Sequence, residues 1–226
     1  MSAERLAAQH KQALVDLSTL TRAELQGVWS LLGGLTADQA RDALLDMLPM
    51  LGEKYGQMAG SLAADFYDEV RAQAAVRGRF AATPAPTPGT ARYEALVRWG
   101  VDPLYQGQPE SLVALARLSG GLQKVVAGVA RDTVTESAVR DPRAAGWKRV
   151  ARAGSCKFCR MLADRGAVYR EATVRFASHD NCGCVAAPDF TGGPQLGVMQ
   201  YVASKRNPSE ADRHRLRDYL SQMSDT

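Results

Sequence analysis

The residues best suited to chemistry lie together between Cys156 and Cys184, where the chain reads CKFCRMLADRGAVYREATVRFASHDNCGC. This stretch holds all four cysteines and one of the three histidines of the 226-residue sequence. The spacing is Cys156-x-x-Cys159, then nineteen residues, then His179-x-x-Cys182-x-Cys184. Two knuckles of soft donors joined by a short connector suit tetrahedral Zn²⁺: each knuckle spans one edge of the tetrahedron and the connector folds back to join them. Five donors compete for four places. Cys156, Cys159 and Cys182 serve in every arrangement, whereas His179 and Cys184 are alternatives for the fourth. His179-x-x-Cys182 spans a knuckle comfortably, and Cys182-x-Cys184 is tight enough to need Gly183 at the turn. Cys184 also has a plainer reading as a small buried residue at the start of a strand.

Other uses of the same residues fit less well. A redox Cys-x-x-Cys follows a strand in a βαβ setting and has no need of a second knuckle. A disulfide scaffold is usually shorter and spreads its cysteines along its length. A catalytic zinc keeps one position open beside a general base, for which Glu171 or Asp180 is at hand, but a surplus of ligands favours a closed structural site. Serine-protease chemistry needs a nucleophile, a base and an oxyanion site. His10 sits among charged neighbours and His214 between Arg213 and Arg215, so both are expected to face solvent, and His179 is claimed by the knuckle. Neither Gly-x-Ser-x-Gly nor His-Glu-x-x-His occurs, and Ser155 and Ser178 are read as turn residues.

Charge is concentrated around the same stretch. The sequence carries +4 overall, yet Arg140 to Asp180 holds ten Lys or Arg against four acids, an excess of six that leaves the remainder at −2. Cations compensate a multi-thiolate site, and a basic face can also bind phosphates with salt-dependent affinity. Lys148, Arg149, Arg152, Lys157 and Arg160 are the candidates for nucleic-acid contact.

The elements that must position these residues follow from periodicity. Apolar spacing predicts helices over 2–18 and 21–33, the second opened by a Thr21/Glu24 capping box and stopped by Gly33-Gly34. Thr36 caps a third helix, bent or ended at Pro49. A long helix over 50–76 has a narrow side of Gly56, Ala59, Gly60, Ala63 and Ala64 that admits another helix closely. The segment 77–90, with Pro84, Pro86 and Pro88, reads as an extended linker. A short helix near Tyr93–Trp99, a turn at Asp102-Pro103 and a long apolar helix over 109–139 complete the first part.

After Asp141-Pro142 the texture changes. A strand over 147–152, a helical turn over 157–163 ended by Gly166, and short strands at 167–169 and 185–187 are expected. The segment 198–204 and, after Pro208-Ser209-Glu210, a polar helix to Met223 close the chain. The fold class is therefore mostly α: a helical N-terminal region (1–76), a Pro-rich linker (77–90), a second helical region (91–140), a small α+β zinc-binding subdomain (141–195) and a C-terminal helical tail (196–226). A subdomain of about 50 residues holds together only with the metal or with the helices beside it. At 46% apolar residues the chain can build a real core. No apolar run approaches the roughly 20 residues that span a bilayer, and the charged N-terminus is unlike a signal peptide, so action without export is expected.

Trp147-x-Arg149, the first knuckle leading to Gly166-x-x-Tyr169, and His179-x-x-Cys182-x-Cys184 followed by Pro188 together resemble the C-terminal region of MuF-like minor head proteins of tailed bacteriophages, the actinobacteriophage versions most of all. The resemblance covers 145–190 well and the upstream helices only in kind. It implies a minor capsid or head-morphogenesis protein, made in the host cytoplasm and located in the virion at the portal or capsid interior, in multiple copies. The implied partners are the portal and major capsid proteins and packaged DNA, with no membrane. Relatives labelled capsid maturation proteases make that activity the alternative; a zinc-knuckle nucleic-acid-binding module outside any virion is a third.

Overall fold

The computed structural model describes residues 2–106, 111–151, 154–166, 169, 176, 178–179, 181–192, 210–211, 214 and 218. The chain is mostly helical, with one small antiparallel sheet beside the Cys/His cluster. Ser2 caps α1 (Ala3–Leu31) by accepting a hydrogen bond from the Arg5 N–H at 3.3 Å. The break expected near residue 20 is not there. The Thr21 hydroxyl donates to the Leu17 carbonyl one turn back at 2.8 Å, and Glu24 leaves its own backbone to pair with Lys54 of the next helix at 2.7 Å. Both groups are satisfied without a cap, so α1 runs on to the turn at Gly33-Gly34, where Gly34 takes φ +86°.

α2 (Ala37–Gln73) begins at Thr36 in a complete capping box with Gln39 and does not end at Pro49, which lies inside it. The proline removes one N–H donor, but the apolar face continues across it with Leu44, Leu48, Leu51 and Tyr55 all buried. The small-residue side of α2 receives more than a helix. A Cβ at Gly52 would lie 2.0 Å from the Tyr93 ring of α3 (Thr90–Val101), one at Gly56 would meet Thr87 at 2.8 Å, and one at Gly60 would meet Pro84 at 3.1 Å. The proline segment therefore lies extended in the groove, tied down where the Ala85 N–H donates to Thr133 Oγ1 at 2.9 Å and the Ala82 N–H to Asp68 at 3.0 Å.

A 3₁₀ turn (Asp102–Tyr105) precedes α4 (Ser111–Arg140), the central helix, which packs against α1, α2, α3 and both strands. By length and composition α4 could cross a membrane. The sequence reading found no such run; Arg117, Lys124, Arg131 and Asp132 divide the stretch into shorter apolar pieces. Its apolar residues Leu118, Leu122, Val129 and Val134 are core, as expected of the middle helix of a bundle.

β1 (Gly146–Val150) pairs antiparallel with β2 (Val185–Asp189), Trp147 opposite Pro188 and Val150 opposite Val185. Between them comes α5 (Lys157–Asp164), and Gly166 follows it at φ +70°. Tyr169 bridges Trp147 where the sequence predicts a second strand; residues 167–168 lie outside the described residues. The segment 198–204 also lies outside them, whereas residues 210, 211, 214 and 218, where the sequence predicts the closing helix, are helical. One hydrophobic cluster runs from Leu6 in α1 through Leu122 in α4 to Trp147, Cys159 and Ala187. The helical part and the Cys/His part share a core. Their junction is a buried ion pair, Arg71 Nε to Asp141 at 2.8 Å, with Tyr67 also donating to Asp141 at 3.2 Å. The rest of the Arg71 guanidinium holds the carbonyls of Val76, Arg77 and Gly78.

Candidate metal centre

Cys156 is the N-cap of α5 and Cys159 the third residue of that helix, so one helical turn brings both thiols to the helix N-terminus. There the first-turn N–H groups and the helix dipole favour thiolate at Cys156. The second knuckle is a turn in which the Cys182 N–H donates to the His179 carbonyl at 3.2 Å, with Asn181 at φ +59°. Cys184 stands immediately before β2, and the pairing of β1 with β2 holds the second knuckle beside the first.

The donors converge. His179 Nε2 lies 3.3 Å from Cys156 Sγ and 3.6 Å from Cys159 Sγ, and Cys159 Sγ lies 3.7 Å from Cys182 Sγ. Zinc held at about 2.3 Å from sulfur and about 2.0 Å from nitrogen sets tetrahedral edges of about 3.8 Å between sulfurs and about 3.5 Å from sulfur to nitrogen. The three observed separations fit those edges. The donors form two groups, Cys156–Cys159–His179 and Cys159–Cys182–Cys184, each with all its ligand atoms within 4.8 Å of one another. Cys159 belongs to both. Cys156 and His179 are exposed, whereas Cys159, Cys182 and Cys184 are buried. All four cysteines are free thiols, and the cluster is consistent with a metal site.

The thiols share their protons unequally. The Cys184 thiol is pulled down to about 4, first by its hydrogen bond with Cys182 and further by Ser155, Cys159 and Arg149, against the opposing effect of burial. Cys182 moves up by the same hydrogen bond and by burial, and burial lifts Cys159 to about 11. Burial would raise Cys156 too, but the Cys159 N–H, the Cys159 thiol and His179 together bring it below its usual range. A cation here displaces the remaining protons, so metal affinity weakens as pH falls.

Behind the donors stands a cage whose Trp147, Arg149 and Tyr169 the sequence reading marks and whose Arg131 it misses. Arg131 of α4 is only 3% exposed, and it donates from Nε to the Cys184 carbonyl at 3.0 Å and from Nη2 to the Cys182 carbonyl at 2.6 Å. Its guanidinium lies 4.9 Å from the centre of the Phe176 ring and that of Arg149 3.7 Å from it. Trp147 stacks on Tyr169 at 4.5 Å and on Phe176 at 5.8 Å. Burial lowers the Arg131 pKa, and the thiols of Cys182, Cys184 and Cys159 act in the opposite direction. The one available signal was a charge at position 131, directly after the apolar stretch from Val125 to Ala130 of a long helix.

The remaining candidates divide. Lys148, Lys157 and Arg160 are exposed, and Arg152, like Glu171 and Asp180, lies outside the described residues. Arg149 is buried and turned inward, with Nη1 3.8 Å from Cys159 Sγ. It faces the thiols rather than solvent because alternation along β1 puts Trp147 and Arg149 on the inner face and Lys148 outside. His10, expected at the surface, is 6% exposed and stacked on Phe66 at 4.3 Å, while His214 is exposed against Asp218 at 2.8 Å.

A family model described as VG15 protein matches residues 1–198. The chain belongs to that family. No curated protein and no solved structure matches it.

Proposed function

Starting from a VG15-family chain with a mostly helical core and a converged Cys/His cluster, we propose that the protein is a MuF-like minor capsid protein of a bacteriophage, a head-morphogenesis factor associated with the portal or the capsid interior. In this reading the cluster holds a structural Zn²⁺ that locks the C-terminal part onto the helices. The observation that carries the proposal is the clustering of Cys156, Cys159, His179, Cys182 and Cys184 in two groups that share Cys159, in a segment that also stacks Trp147 on Tyr169, the same residues that carry the likeness to minor head proteins.

Bound zinc supplies no reaction here; it cross-links two knuckles whose own segment is too small to fold alone. Cys159 and Cys182 anchor the inner side, His179 and Cys156 close the outer edge, and Arg131 ties the second knuckle to α4. Lys148, Lys157 and Arg160 present positive charge outward, where DNA phosphates inside a head supply the matching partner. The portal or major capsid protein would meet the helical part.

The proposal is tested in the phage itself. Heads purified after infection should contain the protein, and deleting its gene should yield heads that fail to assemble, package or deliver DNA. Normal infectious particles without the protein would overturn the proposal. So would processing of the major capsid protein that stops when the gene is deleted, an outcome that points to the maturation protease.

A further inference from the structure

We propose that the ion is held by Cys156, Cys159, His179 and Cys182, and that Cys184 is a reserve donor that takes the fourth place when His179 leaves it. This rests on the metal reading above and assigns a separate role to the fifth donor. Separations of 3.3, 3.6 and 3.7 Å run from Cys156 to His179, from His179 to Cys159 and from Cys159 to Cys182, so three edges of tetrahedral length run through these four residues, with Cys159 shared between the outer and the inner group. Cys184 meets the same site from the other side: its sulfur lies within 4.8 Å of those of Cys159 and Cys182 in a wholly buried group.

The two groups differ in what can reach them. His179 is exposed, so water, protons and competing ligands have access to its ring, whereas Cys184 is 1% exposed. Cys184 is also held in place by the fold itself. β2 begins at the next residue, the Cys184 carbonyl accepts from Arg131 Nε at 3.0 Å, and its thiol lies 3.5 Å from Ser155 Oγ. Cys184 is therefore placed to replace the imidazole, its sulfur already within 4.8 Å of those of Cys159 and Cys182. One coordinate bond from nitrogen gives way to one from sulfur, any thiol proton passes to the released imidazole, and no oxidant takes part. The exchange adds one negative charge, and the guanidiniums of Arg131 and Arg149 already lie alongside. Losing the exposed edge would then leave the metal in place, so the C-terminal part could open at His179 without unlocking.

The test uses the full chain loaded with cobalt(II), whose d–d bands separate three sulfurs and one nitrogen from four sulfurs and whose charge-transfer intensity follows the number of cobalt–sulfur bonds. Cys184→Ser should leave the wild-type spectrum unchanged. His179→Gln should gain one cobalt–sulfur bond with the band pattern of four thiolates. The double variant should bind cobalt at least about tenfold more weakly than either single one. His179 faces solvent and serine preserves the size of Cys184, so helical circular dichroism should match wild type in all three. Loss of one bond's intensity in Cys184→Ser, or no gain in His179→Gln, would overturn the proposal while leaving the metal site standing. A wild-type chain that takes up no cobalt would overturn both.

Discussion

His10 shows how burial turns a surface-looking residue into a pH-sensitive one. It lies flat on Phe66, and burial lowers its pKa from 6.5 to about 4. Above pH 6.5 both folded and unfolded chains carry neutral imidazole. Between pH 6.5 and 4 the unfolded chain binds a proton that the folded one does not, so stability falls through that window by about 3 kcal/mol and then levels off. His10→Phe keeps a ring on Phe66 and removes the titration. Urea unfolding at pH 7 and pH 4.5 should show wild type losing about 2–3 kcal/mol relative to this variant; parallel losses in the two proteins would refute the assignment. The cluster of Cys156, Cys159, His179, Cys182 and Cys184 was legible in the sequence because each knuckle is local, with no more than two residues between neighbouring donors. The stack of His10 on Phe66 was not, since nothing near residue 10 encodes a partner 56 positions on.

Arg131 makes the corresponding point for elements. It belongs to α4, and through the carbonyls of Cys182 and Cys184 it joins the central helix to the second knuckle. Arg131→Met keeps the length of the side chain and removes both hydrogen bonds. Zinc affinity, measured by chelator competition, should drop about 10- to 100-fold with helical content unchanged; unchanged affinity would mean that Arg131 only fills space. The fit of α3 against α2 gives a second prediction. A Cβ at Gly52 would stand 2.0 Å from Cε1 of Tyr93, itself buried. Gly52→Ala should therefore destabilise the chain by about 1–3 kcal/mol despite its gain in helix propensity. A melting temperature equal to or above wild type would show that Tyr93 yields.

Element types and order followed from periodicity, Thr36 from its capping pattern and Gly34 from its turn. Two boundaries did not follow, for one physical reason. At Thr21 and at Pro49 a local signal for a break is outweighed by packing: Thr21 bonds back to Leu17, and Leu48 and Leu51 stay buried on either side of the proline. The proline segment, read as a linker, was recognisable as extended, but its place in the groove of Gly56 and Gly60 depends on contacts with α4 that no local pattern reveals.

For the whole molecule, the shared core is the decisive feature. The cluster of buried residues passes without interruption from the helices to Cys159, Cys182 and Cys184, and the Asp141–Arg71 pair seals the junction. Metal bound at the knuckles should therefore stabilise the chain as a unit rather than a detachable finger. The most direct test of the account is the metal content and thermal stability of freshly purified, reduced protein. The account predicts one zinc ion per chain that survives dialysis, and a single unfolding transition that moves to lower temperature when a strong chelator removes the ion. Protein that carries no metal under reducing conditions, and melts at the same temperature with and without chelator, would contradict it.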